Sequence, residues 1–311
     1  MVFPGQGSQS VGMLAELAES QPVVRSTFGE ASAVLGPHLW RLCAGGPEAE
    51  LNETERTQPA LLAAGVACWR AWQAAGGPEP WAVTGHSLGE ITALVCAGSL
   101  GFGPALELVR FRGQQMQRAV PAGGGAVGAI LGLDDEAVAA ACVAAADDGV
   151  VVPGNFNSPG QVVIAGDAAA VARAVETARA RGARRAVELP VSVPSHSPLM
   201  RPAAEALLER LAATELRPPR IRCYAFDASL HESPAGIRDA LYRQLFSPVR
   251  WTDTVARMIA EGVTHAVEAG PGRVLSGLMR RAEGGRALAI HAIDTPATLA
   301  AAVAACQEQA A

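Results

Sequence analysis

A serine between two glycines, Gly85-His86-Ser87-Leu88-Gly89, follows the apolar run 81–84 and precedes a helical pattern over 88–97. That strand–turn–helix setting is what a nucleophile elbow requires. The glycines let backbone segments approach closely, and the sharp turn leaves the hydroxyl exposed. Ser87 also opens a helix, whose first N–H groups lack partners within it and can receive a developing oxyanion. A glycine turn that merely starts a helix is the plainer alternative, and GxSxG alone leaves esterase, lipase and transferase undivided. A serine hydroxyl is a weak nucleophile at neutral pH, so a base must lie within hydrogen-bond reach.

Six histidines are available for that role. His86 belongs to the turn, and its side chain is expected to point away from Ser87. His38, His231 and His291 sit in unremarkable contexts and His265 starts a strand, so these four read as surface or structural residues. His196, in VSVPSHSP, follows an apolar strand at a place from which a loop can carry it over a sheet edge. No Asp or Glu stands out as a third member. A backbone carbonyl or an amide side chain can instead accept from the other ring nitrogen. Gln244, in RQLFSPVRW, is a candidate for that acceptor, against the alternative of an ordinary helix C-terminus.

Arg112 separates transferase from hydrolase. In a helix over 104–119, Leu108, Val109 and Met116 lie four before, three before and four after it, so the guanidinium projects from the apolar face. It is either half of a buried ion pair or a bidentate clamp for a substrate carboxylate, a geometry that lysine does not reproduce.

The elements that must position these groups read as alternating strand and helix, the pattern of an α/β protein with a largely parallel sheet. Residues 1–4 end a strand that runs into GQGSQ, and 81–84 form a buried strand entering the elbow. Over 123–194 the order becomes strand 126–131, helix 134–146, strand 150–152, strand 161–165, helix 168–181 and strand 186–193. That βαββαβ order is ferredoxin-like. It is bracketed by Gly123–Gly125, read as a hinge, and by Pro194. The expected organisation is a large α/β catalytic domain from 1–122 and 195–311, with a small subdomain, 123–194, inserted in it.

Composition narrows the classes. The 311 residues are 50% hydrophobic and 18% charged, enough for a sizeable core. The six cysteines form no CxxC pair or Cys/His cluster, so neither a zinc site nor a disulfide framework is expected. A net charge of −5 gives no footprint for nucleic acid. No apolar stretch reads as a membrane span or a signal sequence. A cytoplasmic setting follows as the expectation. All 25 basic residues are arginine, which removes Ser-Lys and Schiff-base mechanisms.

Several motifs in one order, FPGQGSQ, TQPALLA, GHSLGE, RFRGQQMQ, NFNSPGQVVIAG, VPSHSPLM and GPGRVLSGL, span nearly the whole chain. Together they resemble the malonyl-CoA:acyl-carrier-protein transacylases. The resemblance implies a hydrolase-like parallel-sheet domain with an inserted ferredoxin-like subdomain. It also implies a ping-pong transfer of malonyl from malonyl-CoA to the phosphopantetheine thiol of acyl carrier protein, for fatty acid synthesis. A stand-alone acyltransferase loading a polyketide synthase is the alternative within the class. By the same resemblance Ser87 is the nucleophile, His196 the base and then acid, and Arg112 the partner of the malonyl carboxylate. The N–H groups of Gln6 and Leu88 form the oxyanion hole, the carbonyl of Gln244 orients His196, and Gln58 and Asn157 lie near the acyl pocket. No cofactor or metal is implied, and a monomer is the expected state. Arg56 before TQPALLA and CYAFDAS at 223–229 depart from the family pattern.

Overall fold

Two short apolar segments, VF and AVTG, form neighbouring strands β1 (Val2–Phe3) and β2 (Ala82–Gly85), fully buried and paired in parallel with Phe3 opposite Gly85. The computed structural model describes residues 1–36 and 38–310. Between these strands the chain does not alternate as the sequence pattern suggests. It passes through five helices among the described residues, the last being α1 (Thr54–Ala74). Small and apolar residues occupy every face of α1 from Thr57 to Trp69, so that stretch is buried throughout, and only its two ends reach the surface. The chain then leaves β2 through α2 (Leu88–Cys96) and α3 (Phe102–Arg118).

The next segment runs β3 (Gly125–Leu131), α4 (Asp135–Ala146), β4 (Val151–Ser158), β5 (Gln161–Asp167), α5 (Ala168–Ala180) and β6 (Arg185–Leu189). Asp134 starts α4 by accepting from the Ala137 N–H at 2.7 Å. The sheet order is β4-β5-β3-β6, with every neighbour antiparallel. Successive side chains alternate between its faces. Ala126, Ile130, Val162 and Ile164 pack under α4 and α5, and Val127, Val163 and Leu189 line a cleft on the other side.

Two strands differ from the sequence reading. β4 does not stop at 152 but continues through NFN to Ser158, because Pro153 lies on an edge strand at a register shift, where its missing N–H costs no ladder bond. β6 ends at Leu189 rather than 193, just before Pro190. The Gly123–Gly125 run is not an open tether: a Cβ at Gly125 would lie 2.6 Å from the Pro194 ring, so the strands entering and leaving the smaller sheet pass in contact.

Among the elements that follow are β7 (Arg222–Cys223), α6 (Pro234–Gln244), α7 (Trp251–Ala260), β8 (His265–Glu268), α8 (Val274–Met279) and β9 (Ala289–Ala292), with further helices over Arg201–Ala212 and Pro296–Ala310. They complete a five-stranded sheet in the order β7-β2-β1-β8-β9, all parallel. The loops after β1, β2 and β8 therefore leave from one edge, the carboxyl edge at which open parallel sheets hold ligands. Two backbone bonds tie β4 of the smaller sheet to the segment between α6 and α7, from Phe156 N–H to the Val249 carbonyl and from Val249 N–H to the Gly154 carbonyl, each 2.9 Å. Among the described residues no helix is long and apolar enough to cross a membrane.

Candidate active site

Close backbone approach builds the elbow. A Cβ at Gly85 would overlap the carbonyl of Gly89, one at Gly89 would overlap the carbonyl oxygen of Phe3, and one at Gly5 would overlap that of His86. The loop after β1, the turn after β2 and the start of α2 are thereby pressed together. Between them Ser87 takes φ 53° and ψ −108°, a conformation that costs a non-glycine residue on the order of 1–3 kcal/mol and that the surrounding packing imposes. Ser87 is left half-buried at the N-terminus of α2, on the wall of a cleft of about 480 Å3 between the parallel-sheet edge and the smaller sheet. The backbone N–H groups of Gln6 and Leu88 make no hydrogen bond among the described residues, and both residues line this cleft.

His196 comes over the sheet edge from the loop after β6, in a left-handed conformation (φ 63°), with its N–H bonded to the Leu245 carbonyl at 2.9 Å. Its Nε2 lies 2.8 Å from Ser87 Oγ and its Nδ1 lies 2.8 Å from the Gln244 carbonyl oxygen. A carbonyl only accepts, so Nδ1 carries the proton and Nε2 is free to accept from the serine hydroxyl. Gln244 is the last residue of α6, where a helix leaves its carbonyls without internal partners. The helix C-terminus and the acceptor are thus the same feature. Burial, and then the charge of Arg112, push His196 from 6.5 down to about 3, against the pull of the Gln244 carbonyl. The imidazole is neutral at physiological pH.

Arg112 lies on the buried face of α3 with Leu108, Val109 and Met116 and is 1% exposed. Its acceptors are all neutral: Gln58 Oε1 and Gln244 Oε1, each at 2.9 Å, and Ser87 Oγ at 3.3 Å. Nε is buried without a partner. Burial lowers the guanidinium from 12.5 to about 10 while the charge of Glu90 acts in the opposite direction, so it remains a cation. A buried cation held by neutral groups beside the Ser87 hydroxyl can take an anionic group in charge-assisted hydrogen bonds.

The structure therefore gathers Ser87, His196, Arg112, Gln244, Gln58, Gln6 and Leu88 at one place. Gln58 spends its amide carbonyl on Arg112, and its Nε2 reaches Met116 Sδ at 3.4 Å. Asn157 lies across the cleft on β4, with Oδ1 2.8 Å from His86 Nε2, so the His86 ring is bound to the smaller sheet rather than to Ser87. His265 and His291 stack at 6.1 Å on β8 and β9, outside the cleft lining, as is His38.

Sequence reasoning missed two residues. Glu90 is fully buried, with Oε2 accepting from Gln244 Nε2 at 2.7 Å and Oε1 lying 2.8 Å from His231 Nε2. A lone carboxylate inside the apolar helix LGEITALVC was the available signal for Glu90. Nothing local marks His231 as a partner of the site; of the two readings the sequence allowed it, surface or structural, it is the structural one, buried against Glu90.

The chain matches the family model described as an acyl transferase domain over residues 1–286. It is 54% identical over 303 residues to the malonyl CoA-acyl carrier protein transacylase of Salmonella typhimurium, covering 97% of each chain. Among solved structures it resembles an acyl carrier protein S-malonyltransferase of Vibrio cholerae, with 55% identity, a TM-score of 0.93 and coverage of 96% and 98%. It also resembles a malonyl-transacylase in complex with its type II PKS acyl-carrier protein, with 52% identity, a TM-score of 0.96 and coverage of 98% of each chain. With its nucleophile elbow, facing histidine and buried arginine in one cleft, the chain belongs to the acyl transferase family, alongside the malonyl CoA-acyl carrier protein transacylases.

Proposed function

We propose that this chain transfers the malonyl group from malonyl-CoA to the phosphopantetheine thiol of an acyl carrier protein through an ester on Ser87, supplying fatty acid synthesis. The observation that carries the reading is the convergence of His196 Nε2 at 2.8 Å and Arg112 at 3.3 Å on the Ser87 hydroxyl. Ser87 Oγ attacks the thioester carbonyl while His196 Nε2 takes its proton, and the oxyanion is received by the N–H groups of Gln6 and Leu88. The carbon–sulfur bond breaks, and His196 returns the proton to the departing CoA thiolate. The carrier thiol then attacks the ester with His196 again as base, and Ser87 regains its proton. Arg112 holds the malonyl carboxylate through both halves, and Gln58 and Asn157 stand at the acyl pocket.

Residues 1–122 and 195–311 form the catalytic domain in this reading, and 123–194 an inserted subdomain that roofs the cleft. Every step above uses side chains and backbone of the chain itself, so the reaction is assigned no metal and no cofactor. The protein works as a cytoplasmic monomer on two soluble partners, malonyl-CoA and the carrier.

The test is intact mass after brief exposure to malonyl-CoA, for the native chain and for Ser87→Ala, followed by addition of holo carrier protein. The expected result is a malonyl adduct that requires Ser87 and discharges onto the carrier. An adduct that decays equally fast without carrier would make the enzyme a hydrolase, and no adduct at all would remove the reading.

A further inference from the structure

The acyl-transfer mechanism leaves the buried pair Glu90 and His231 without a task, although Glu90 bonds Gln244, one of the residues that hold Arg112, and His231 bonds Glu90. Glu90 projects from the first turn of α2, three residues after the nucleophile, and is fully buried. Its two oxygens are spoken for: Oε1 meets His231 Nε2 at 2.8 Å, and Oε2 accepts from Gln244 Nε2 at 2.7 Å. His231 is itself fixed, with its N–H bonded to the Cys223 carbonyl at 2.9 Å at the end of β7. The Gln244 amide donates also to the Ser87 carbonyl at 3.0 Å and presents its own oxygen to Arg112 at 2.9 Å.

An amide side chain can face either way, and its neighbours decide which. A carboxylate only accepts, so Glu90 compels the NH2 of Gln244 toward itself and leaves the oxygen for the guanidinium. With the amide reversed, NH2 would face the arginine and oxygen would face the carboxylate, two repulsive contacts in a buried place. Glu90 also carries the negative charge that a buried guanidinium needs nearby, and its charge acts to keep Arg112 protonated. It does so from behind the amide. A carboxylate paired directly with Arg112 would occupy the N–H groups that an anionic substrate has to reach.

We infer that Glu90, anchored by His231, is a positioning residue that sets the orientation of Gln244 and through it presents Arg112 to the substrate carboxylate. This rests on the proposed malonyl transfer. Selectivity for a carboxylate-bearing acyl group over a neutral one is then set partly by a residue that never touches the substrate.

Glu90→Gln tests this, because it keeps the shape and removes the enforced polarity. Initial rates of Ser87 acylation by malonyl-CoA and by acetyl-CoA are measured by rapid quench and mass spectrometry, with native protein as control. The ratio of the malonyl to the acetyl rate is expected to fall about tenfold or more, the effect of weakening a charge-assisted hydrogen bond. A ratio kept within about twofold, with both rates falling together or neither falling, assigns Glu90 to the packing of α2 and overturns the inference. If Glu90→Gln does not fold, Glu90→Asp carries the test. Its charge is retained but drawn back by one methylene, so the ratio is expected to fall at least about threefold, and an unchanged ratio overturns the inference. A native chain that forms no Ser87 adduct fails the acyl-transfer reading itself, which is a different result from a native chain whose selectivity ignores Glu90.

Discussion

Lowering the pH from 8 to 5 separates the buried His196 from an ordinary histidine. Burial and the Arg112 charge hold its imidazole at about 3, so the form that accepts the Ser87 proton persists far into acid. A histidine at the usual 6.5 would be about 3% neutral at pH 5, and acylation would slow about 30-fold. With the group at about 3, more than about 90% stays neutral at pH 5 and the acylation rate per concentration of acetyl-CoA is expected to hold within about twofold. The sign for stability is opposite in consequence. The unfolded chain takes up this proton near 6.5 and the folded chain not until about 3. Between those values the unfolded state binds more protons, so the contribution is complete above 6.5 and drains as the pH falls toward 3. The total is on the order of 5 kcal/mol, so the assay is a pH jump followed by single-turnover quench, before unfolding intervenes.

The loaded enzyme behaves differently from the free one. A malonyl carboxylate against Arg112 offsets the charge that disfavours imidazolium, so His196 becomes more basic once the substrate is bound. The saturating acylation rate reports the loaded state, whereas the rate at low substrate reports the free enzyme. The acid limb is therefore expected at higher pH for saturating malonyl-CoA than for saturating acetyl-CoA, which brings no carboxylate. An acid limb between 6 and 7 at low substrate, or identical limbs for the two acyl groups at saturation, would refute the electrostatic argument.

Two further substitutions follow from the same site. Arg112→Ala removes a pair of charge-assisted bonds to the carboxylate, each worth about 1.5–3 kcal/mol, so acylation by malonyl-CoA is expected to fall about 10²–10⁴-fold. Acetyl-CoA should lose far less and should show an acid limb moved to higher pH, which rapid-quench mass spectrometry would detect. Gly89→Ala drives a methyl group into the Phe3 carbonyl oxygen. Thermal unfolding should register a loss of about 1–3 kcal/mol or more, with Ser87 acylation largely abolished as the elbow shifts.

What the sequence makes legible at this site is what the chain places locally. Ser87 is announced by glycines two residues to either side, and Arg112 by apolar neighbours one helical turn away. The ferredoxin-like order is visible because glycine-bearing turns at Gly132, Gly149, Gly160 and Gly182 separate its strands and helices. Contacts across the chain are not. His196 meets Ser87 across 109 residues of sequence, Arg112 meets Gln244 across 132, and His231 meets Glu90 across 141. Without the family resemblance, His196 and Gln244 are candidates among several. Glu90 is faintly marked by its apolar neighbours in LGEITALVC, but an acidic residue in the first turn of a helix is ordinary, and its partners Gln244 and His231 lie far along the chain. The helices between β1 and β2 escape the alternating pattern because β2, the strand that pairs with β1, comes only after five helices in a row among the described residues. Phe3 and Gly85 are neighbours in space although they stand 82 positions apart in the chain. The extension of β4 through NFN escapes because a proline in a strand is harmless only on an edge, and edges are a property of the assembled sheet.

His196 is oriented by a carbonyl rather than a carboxylate, and Arg112 gives the physical reason. In the proposed transfer the cleft has to keep a guanidinium available for an incoming anion. A carboxylate at the Nδ1 side of His196 would attract that guanidinium by about 4 kcal/mol if the charges came within 4 Å, in competition with the substrate. The end of α6 avoids this, since a helix C-terminus presents about half a negative charge, spread over its last carbonyls and fixed by the backbone. That is enough to select the tautomer of His196 and to pull mildly against its loss of basicity. The side chain of the same residue bonds Arg112, so the position of Gln244 sets the base and the carboxylate anchor together. A shift of α6 that moved one would move the other, and the two groups that must meet a single malonyl thioester keep their spacing.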